Sequence, residues 1–465
     1  MANPRIASSL GTKPSAFQTG TDQDVDAQGT ASTAADFTQL AEACRQAAAS
    51  MAAPALPSPP LRLFSTWEIT RYMIPVAQAY FRRVIQAHTE LPQGRDEAGT
   101  GARWFSLQEV LVLRAHFAAQ GARSKTYLPY RPQAAAPDSA TAKPQAKITV
   151  VAHAQAGVGK TTTCVHLAMS AALEGYRVLV IDMDAQARLT ALFKSADSRP
   201  DQSVFALLAS HYAQQLRADN QRRLDRGETP QALDTALSAA LKRPTQALIR
   251  ATHWPNIDLI AADMSLSAAE FQLADWRLAA RGWPFWAALR ETLARDGVLD
   301  AYDLIFIDTP PALGQLTLMA VASADIVLVP TAATAAEVAA TAAFFDLLHR
   351  SFKSLEQGAN LAARALGQPD LLFDWGAVRL VLTRYQAVLH SGAASLLHSH
   401  LGPGLTPQRQ DFTALLDQAG AGAVYEIDYR AFNRETYARA RESFDGNYDD
   451  FKALLHACWQ RDMQG

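Results

Sequence analysis

The stretch Ala154-Gln-Ala-Gly-Val-Gly-Lys-Thr161 constrains this chain more than any other. It follows the apolar run Ile148–Ala152 and precedes the helix-prone run Thr161–Glu174. A glycine-rich turn between a strand and a helix points backbone N–H groups at an anion, and the helix N-terminus adds partial positive charge. The pattern is that of a phosphate loop, with Ala154 in place of the usual first Gly. Gln155, Ala156, Gly157, Val158, Gly159, Lys160, Thr161 and Thr162 are therefore the candidate nucleotide-binding residues. Lys160 is expected to reach the β and γ phosphates, and the Thr161 hydroxyl to ligate Mg²⁺. The alternative is a chance Gly-Lys-Thr in an ordinary strand–helix turn.

Two further strands end in acids. Tyr302-Asp-Leu-Ile-Phe-Ile-Asp308 places Asp308 where phosphate-loop enzymes direct Mg²⁺. Val180-Ile-Asp-Met-Asp-Ala-Gln186 carries Asp182 and Asp184. Val178–Ile181, Ile257–Ala261, Leu304–Ile307, Ile326–Val329 and Val378–Leu382 are further short, nearly continuous apolar runs. Such runs suit strands buried on both faces of a parallel sheet. With helices between them, closed in one case by Gly175, they predict a doubly wound α/β domain over 147–465. The polar stretch His211–Arg243 reads as an insertion or lid.

The remaining chain divides by composition. Residues 1–60 form a segment rich in Ala, Ser, Thr, Gln and Pro, with one amphipathic helix expected at Ala35–Met51 and a linker at Ala53–Pro60. Residues 61–132 hold ten Lys/Arg and five Asp/Glu, a net of +5. Here Ser65 with Glu68 predicts a helix start, a second helix is expected over Val76–His88, glycines 94, 99 and 101 suggest a hairpin, and Ser106 caps a third helix ending near Gln120. That order is similar to a winged helix-turn-helix DNA-reading module, with Arg82 and Arg83 exposed on the second helix. The alternative is a small helical module with a solvated basic face. A second Ala/Pro-rich linker covers 133–146. Cys44, Cys164 and Cys458 are far apart and lack metal-ligand spacing, and no apolar run reaches the roughly 20 residues of a membrane span. A cytoplasmic protein is expected.

The order GVGKTT, DMDAQ, YDLIFIDTPPALG resembles the ParA/MinD group of partition ATPases. Asn256-Ile-Asp-Leu-Ile-Ala-Ala, Val424-Tyr-Glu-Ile and Tyr437-Ala-Arg-Ala-Arg-Glu-Ser443 are similar to segments of large plasmid ParA proteins, including RepA of the repABC type. The resemblance implies ATP and Mg²⁺ as cofactors and a homodimer switched by ATP. It further implies slow hydrolysis stimulated by a ParB-type centromere-binding partner, and DNA as a ligand on the nucleoid. It assigns Lys160 and Thr161 to phosphate and metal, Asp182 and Asp308 to Mg²⁺, and Asp184 to the attacking water. The family's signature lysine is replaced here by Gln155, which also suggests a nucleotide-gated DNA-binding regulator with little hydrolysis. Arg434 and Arg441, seven apart, are candidates for non-specific DNA binding. A MinD-like membrane-cycling role is disfavoured by the acids of Asp449–Gly465.

Overall fold

The computed structural model describes residues 42–44, 46–47, 60–97, 99, 101–120, 127–132, 145–193, 202–280, 282–365, 367, 369–419 and 422–464. Most of the helix expected at 35–51, and the linkers expected at 53–60 and 133–146 apart from their last one or two residues, lie outside the described residues. The strands and helices named below all belong to the unit from residue 58 onward.

Three short strands open it: β1 (Phe64–Ser65), β2 (Arg95–Asp96) and β3 (Arg103–Phe105). β3 pairs antiparallel with both β1 and β2. The Ser65 hydroxyl accepts from the Glu68 amide while Glu68 reaches back to the Ser65 N–H, so the expected capping box forms. The helical turn after it is brief, Thr66–Glu68 then Ile69–Met73. Helix α1 is Gln78–Ala87, shorter than the predicted Val76–His88, and α2 is Leu107–Ala119, started by a second capping box at Ser106 and Glu109. The two expected hairpin arms are β2 and β3.

Eight strands build the main sheet: β4 (Lys147–Val151), β5 (Val178–Asp182), β6 (Ile249–Ala251), β7 (Ile257–Ile260), β8 (Leu304–Asp308), β9 (Ile326–Thr331), β10 (Ala377–Tyr385) and β11 (Leu405–Asp411). Their order is β11-β10-β9-β4-β8-β5-β7-β6, parallel throughout except β6. Six of these strands were expected from the apolar runs. The two that were not, β6 and β11, are the sheet's edges. The pleat sends alternate residues to opposite faces. Leu304 and Phe306 enter one core with Val178 and Val180; Ile305 and Ile307 enter the other with Leu179 and Ile181. Both faces are covered, which is why the runs read as continuous rather than alternating.

The first core holds α3 (Lys160–Glu174), Leu189 of α4 (Arg188–Leu192) and α10 (Arg434–Gln464), together with Phe64, Phe81, Phe105 and Phe117 from residues 61–132. These residues thus share a hydrophobic core with the sheet. Helix α9 (Ala387–Leu401) packs in a small separate cluster with β10. The opposite core takes α5 (Val204–Asp225), α6 (Leu266–Ala279), α7 (Gln315–Ser323) and part of α8 (Ala335–Ala365). Here the reading of 211–243 as a lid is corrected. Tyr212, Ala213, Leu216, Leu237 and Ala240 are buried, and the Tyr212 ring stacks on Trp276 at 4.6 Å. The charged back half of α5 masked an apolar front half that belongs to the core.

A buried polar cluster joins residues 61–132 to α10. Glu68 is fully buried; it accepts from Arg62 Nη2 at 2.7 Å and from the Tyr437 hydroxyl at 2.9 Å. Burial alone would raise the Glu68 pKa, but Arg62 and Arg441 outweigh it and hold the carboxyl below its ordinary value. Arg441 is 1% exposed; it donates to the Tyr437 hydroxyl at 3.1 Å and pairs with Asp445 at 3.3 Å. Its guanidinium lies over the Tyr72 ring at 4.1 Å. The assignment of Arg441 to DNA is thereby corrected, because this side chain offers no surface to a polyanion. Arg434 does share its face, as the spacing suggested, and lies exposed over Trp67 at 5.0 Å. That face packs on residues 61–132. Replacing Arg441 by Met is expected to cost about 3–5 kcal/mol, since it strands buried acids. Arg434→Ala is expected to cost within about 0.5 kcal/mol. Urea unfolding midpoints of both variants check the contrast.

Candidate nucleotide site

The site sits at the C-terminal ends of β4, β5, β8 and β10, where parallel α/β sheets open toward ligands. The loop between β4 and α3 turns through Gly157 and Gly159, at φ of +75° and +95°. Side chains rarely adopt such values, so glycine is required for this turn. Gly159 caps α3, and its carbonyl accepts from the Thr163 N–H at 2.8 Å. The far end of α3 closes on Gly175 at φ +98°, as expected. Thr383, near the end of β10, donates from its hydroxyl to the Val158 carbonyl at 2.7 Å. This bond pins the loop's middle to a strand far away in sequence.

His153 supports the loop from beneath. It is 1% exposed, and burial, with Lys160 nearby, lowers its pKa to about 4. The neutral ring accepts the Gln155 N–H at Nδ1, 2.9 Å away, and Nε2 meets the Thr341 hydroxyl at 3.0 Å.

Lys160 Nζ donates to the Gln155 carbonyl at 2.8 Å. Burial lowers its pKa, against the opposing pull of Asp308 and Asp184. The Thr161 hydroxyl donates to Asp308 Oδ2 at 2.6 Å. Asp308 Oδ1 is buried and meets no partner among the described residues. Asp182 stands beside Asp308 in the β5–β8 register. Burial raises the pKa of both acids, and for Asp308 the neighbouring Asp182 charge adds to the shift. Their surroundings differ. Asp182 Oδ1 accepts the Asp184 N–H at 3.1 Å, and Oδ2 accepts the Thr190 N–H and hydroxyl, both at 2.8 Å. Asp184 instead lines the cavity, and its carboxylate accepts the Gln186 N–H at 3.0 Å.

A cavity of about 330 Å³ opens over the loop. Ala156, Gly157, Gly159, Lys160, Thr161 and Thr162 form its floor, with Asp184, Gln186 and Arg188 on one side. Thr383, Arg384, Gln410 to Thr413 and Phe444 form the other, and none of these was expected from sequence. They come from the end of β10, the polar edge strand β11 and α10. Arg384, at φ +51°, is one of two non-glycine residues with positive φ among the described residues, and it pairs with Glu337. Such strain clusters at functional sites and gave no sequence signal. The Gln155 side chain does not line the cavity; its Oε1 is buried without a partner among the described residues. Among the surface candidates, Arg82 and Arg83 are exposed on α1, with Arg83 over the Tyr80 ring at 5.4 Å.

Known proteins resemble this chain in sequence and fold. Residues 146–357 match a family described as an AAA domain. Two proteins provisionally named replication protein A align over most of their length. One, from Rhizobium rhizogenes, is 26% identical over 86% of this chain and 88% of its own; the other, from Sinorhizobium fredii, is 28% identical over the same shares. The chromosome partitioning protein ParA of Caulobacter vibrioides is 29% identical over 40% of this chain and 55% of its own. Over its phosphate-loop part the chain is similar to ParA. A solved partition protein aligns at TM-score 0.54 and 17% identity, over 90% of this chain and 99% of that one, and so shares the fold.

The donor set fits a nucleoside triphosphate with Mg²⁺. The loop N–H groups and Lys160 would hold phosphates; Thr161 and the open oxygen of Asp308 would hold Mg²⁺, which would screen phosphate charge. No helix among the described residues is long and apolar enough to cross a membrane. Lys160→Ala is expected to lower ATP affinity roughly a hundredfold or more, the loss of charge-assisted bonds at about 1.5–3 kcal/mol each. Equilibrium binding of a fluorescent ATP analogue measures this; unchanged affinity would refute the assignment.

Proposed function

We propose that this ParA-like chain is a DNA-partition ATPase of the plasmid or chromid type. It binds ATP·Mg²⁺, dimerises, binds DNA and represses its own operon, and its slow hydrolysis is stimulated by a ParB-type partner. It works in the cytoplasm, on the nucleoid. The observation that carries this reading is the Thr161–Asp308 pair beneath the phosphate loop, in a chain that aligns with a replication protein A relative over 86% of its own length. Asp184, which borders the cavity, suits the positioning of attacking water. Asp182, with both oxygens occupied, suits shaping the turn that presents Asp184, and reaches Mg²⁺ only if its bonds to Thr190 open.

Gln155 favours a second reading, a nucleotide-gated DNA-binding regulator with little hydrolysis. The signature lysine of the resembled family stands at this position, and a neutral amide brings no charge to the phosphates. Arg188, on the cavity's rim, is the group best placed to replace it. If the charge acts mainly on the transition state, its loss lowers turnover more than binding. Near-normal ATP affinity and very slow hydrolysis are therefore expected, with a gain in Gln155→Lys bounded by the roughly 10³–10⁵-fold effect of an arginine finger. Single-turnover hydrolysis and sedimentation of both proteins, with ATP and DNA present, test this. A parent that hydrolyses and dimerises as well as Gln155→Lys would show that another group supplies the charge.

Operator reading is assigned to residues 61–132 through Arg82 and Arg83. Deleting these residues would uncover the shared core, so the informative variant is Arg82→Ala with Arg83→Ala. It is expected to weaken operator binding and to reduce the salt slope by about two, one per lost phosphate contact. Filter binding across a salt series, with unchanged ATP affinity as the control, decides the point.

A further inference from the structure

Helix α9 joins β10 to the edge strand β11, and only Ala394 of its 15 residues is buried. Its inner side, with Ala394, Leu397 and Leu401, rests on Leu380, Leu382, Tyr385 and Leu405. Its outer side is apolar too. Val388 is 95% exposed, Leu389 68% and Leu396 62%. At 3.6 residues per turn these three share one face with Gly392. Single exposed leucines are ordinary, but a contiguous apolar face marks a contact surface.

Two observations say what covers it. The first is charge. The helix holds no Asp, Glu, Lys or Arg, although these make up 19% of the chain. Nucleic acid needs cations on the face that meets it, and an acidic or basic partner needs the opposite charge. A second copy of α9 needs neither, and it presents the same uncharged apolar face. The second observation is Gly392. A glycine inside a helix weakens it relative to alanine and is kept there for a packing reason. The chain's own fold supplies none: beyond the neighbouring residues and the helix backbone, no atom among the described residues lies within 4 Å of where a Cβ would stand. The spacing is also self-complementary. Leu389 and Leu396 lie equally far on either side of the point between Gly392 and Ala393. With a two-fold axis at that point, each Leu389 of an antiparallel pair lies beside the other copy's Leu396.

We propose that α9 is a contact between two copies of this chain, paired antiparallel through Leu389 and Leu396, with Gly392 letting the helices approach at the crossing. This goes beyond the nucleotide-driven dimer proposed above, since Val388, Leu389, Gly392 and Leu396 do not line the nucleotide cavity. A face about 22 Å long covers well under the roughly 800 Å² per partner of a standard interface, so the association is weak and concentration-dependent.

The test uses the full chain carrying Cys44→Ser, which removes the exposed native thiol. Gly392→Cys is expected to give a disulfide-linked dimer under mild oxidation, because the axis sets position 392 against its own copy. Ser399→Cys is expected to give none, since at 1.5 Å per residue the two copies of position 399 stand roughly 20 Å apart. Sedimentation over a concentration series without nucleotide then compares the parent with Leu389→Ser plus Leu396→Ser. Self-association is expected to weaken about tenfold or more while ATP affinity stays unchanged. The cross-link is expected to persist in Lys160→Ala, which separates the two contacts: if the nucleotide-driven dimer fails, the cross-link remains, and if α9 fails, ATP-dependent sedimentation remains. Equal self-association of the parent and the double serine variant would overturn the proposal, as would equal cross-linking at positions 392 and 399 or loss of the cross-link in Lys160→Ala. Pelleting with phosphatidylcholine–phosphatidylglycerol vesicles that the double variant loses would overturn it too, by giving the face to a lipid surface.

Discussion

A parallel sheet has two faces, and neither can be left to water. That constraint organises this molecule. One face is covered by α5, α6, α7 and α8. The other is covered by α3 and α10, and these helices do not finish the task. Residues 61–132 complete the cover, bringing Phe64, Phe81, Phe105 and Phe117 into the same core. The basic segment is therefore part of the hydrophobic core as well as a candidate reader of DNA. The buried Glu68 marks the junction, since a carboxylate with no solvent persists only with Arg62, Tyr437 and Arg441 around it.

What the sequence disclosed and what it hid have one geometric cause. Strands buried on both faces announce themselves as apolar runs, so the six central strands were legible. β6 and β11 are edges with polar residues, such as Arg250, Gln408 and Arg409, and have no such signature. The floor of the nucleotide site was equally legible, because its residues are consecutive and their chemistry demands glycine, lysine and threonine. Its far wall was not. Thr383, Arg384 and Gln410 to Thr413 reach the loop only because β10 and β11 are added to the sheet beyond β9.

Arginine was read least well. The spacing of Arg434 and Arg441 did report a shared helical face, but periodicity cannot say what a face meets. Here it meets Trp67 and Tyr72. The acids showed the reverse case: Asp182 and Asp184 are indistinguishable in sequence, and only their partners separate them. One has its oxygens filled by Thr190 and a backbone amide, the other borders the cavity.

The junction at Glu68 also bears on how the chain is made. Glu68 and Tyr437 are 369 residues apart, and Arg62 reaches the Tyr425 carbonyl across 363. The segment around Glu68 thus finds these partners only after the intervening residues have been synthesised. Contacts of such separation slow folding, because the intervening chain must be ordered before they form. Until α10 arrives, the core that Phe64, Phe81 and Phe117 share with it is incomplete, and a product cut short before Tyr437 is expected to be more open to proteases. Closure of this core therefore waits on α10, which makes that helix a checkpoint on the integrity of the segment it covers.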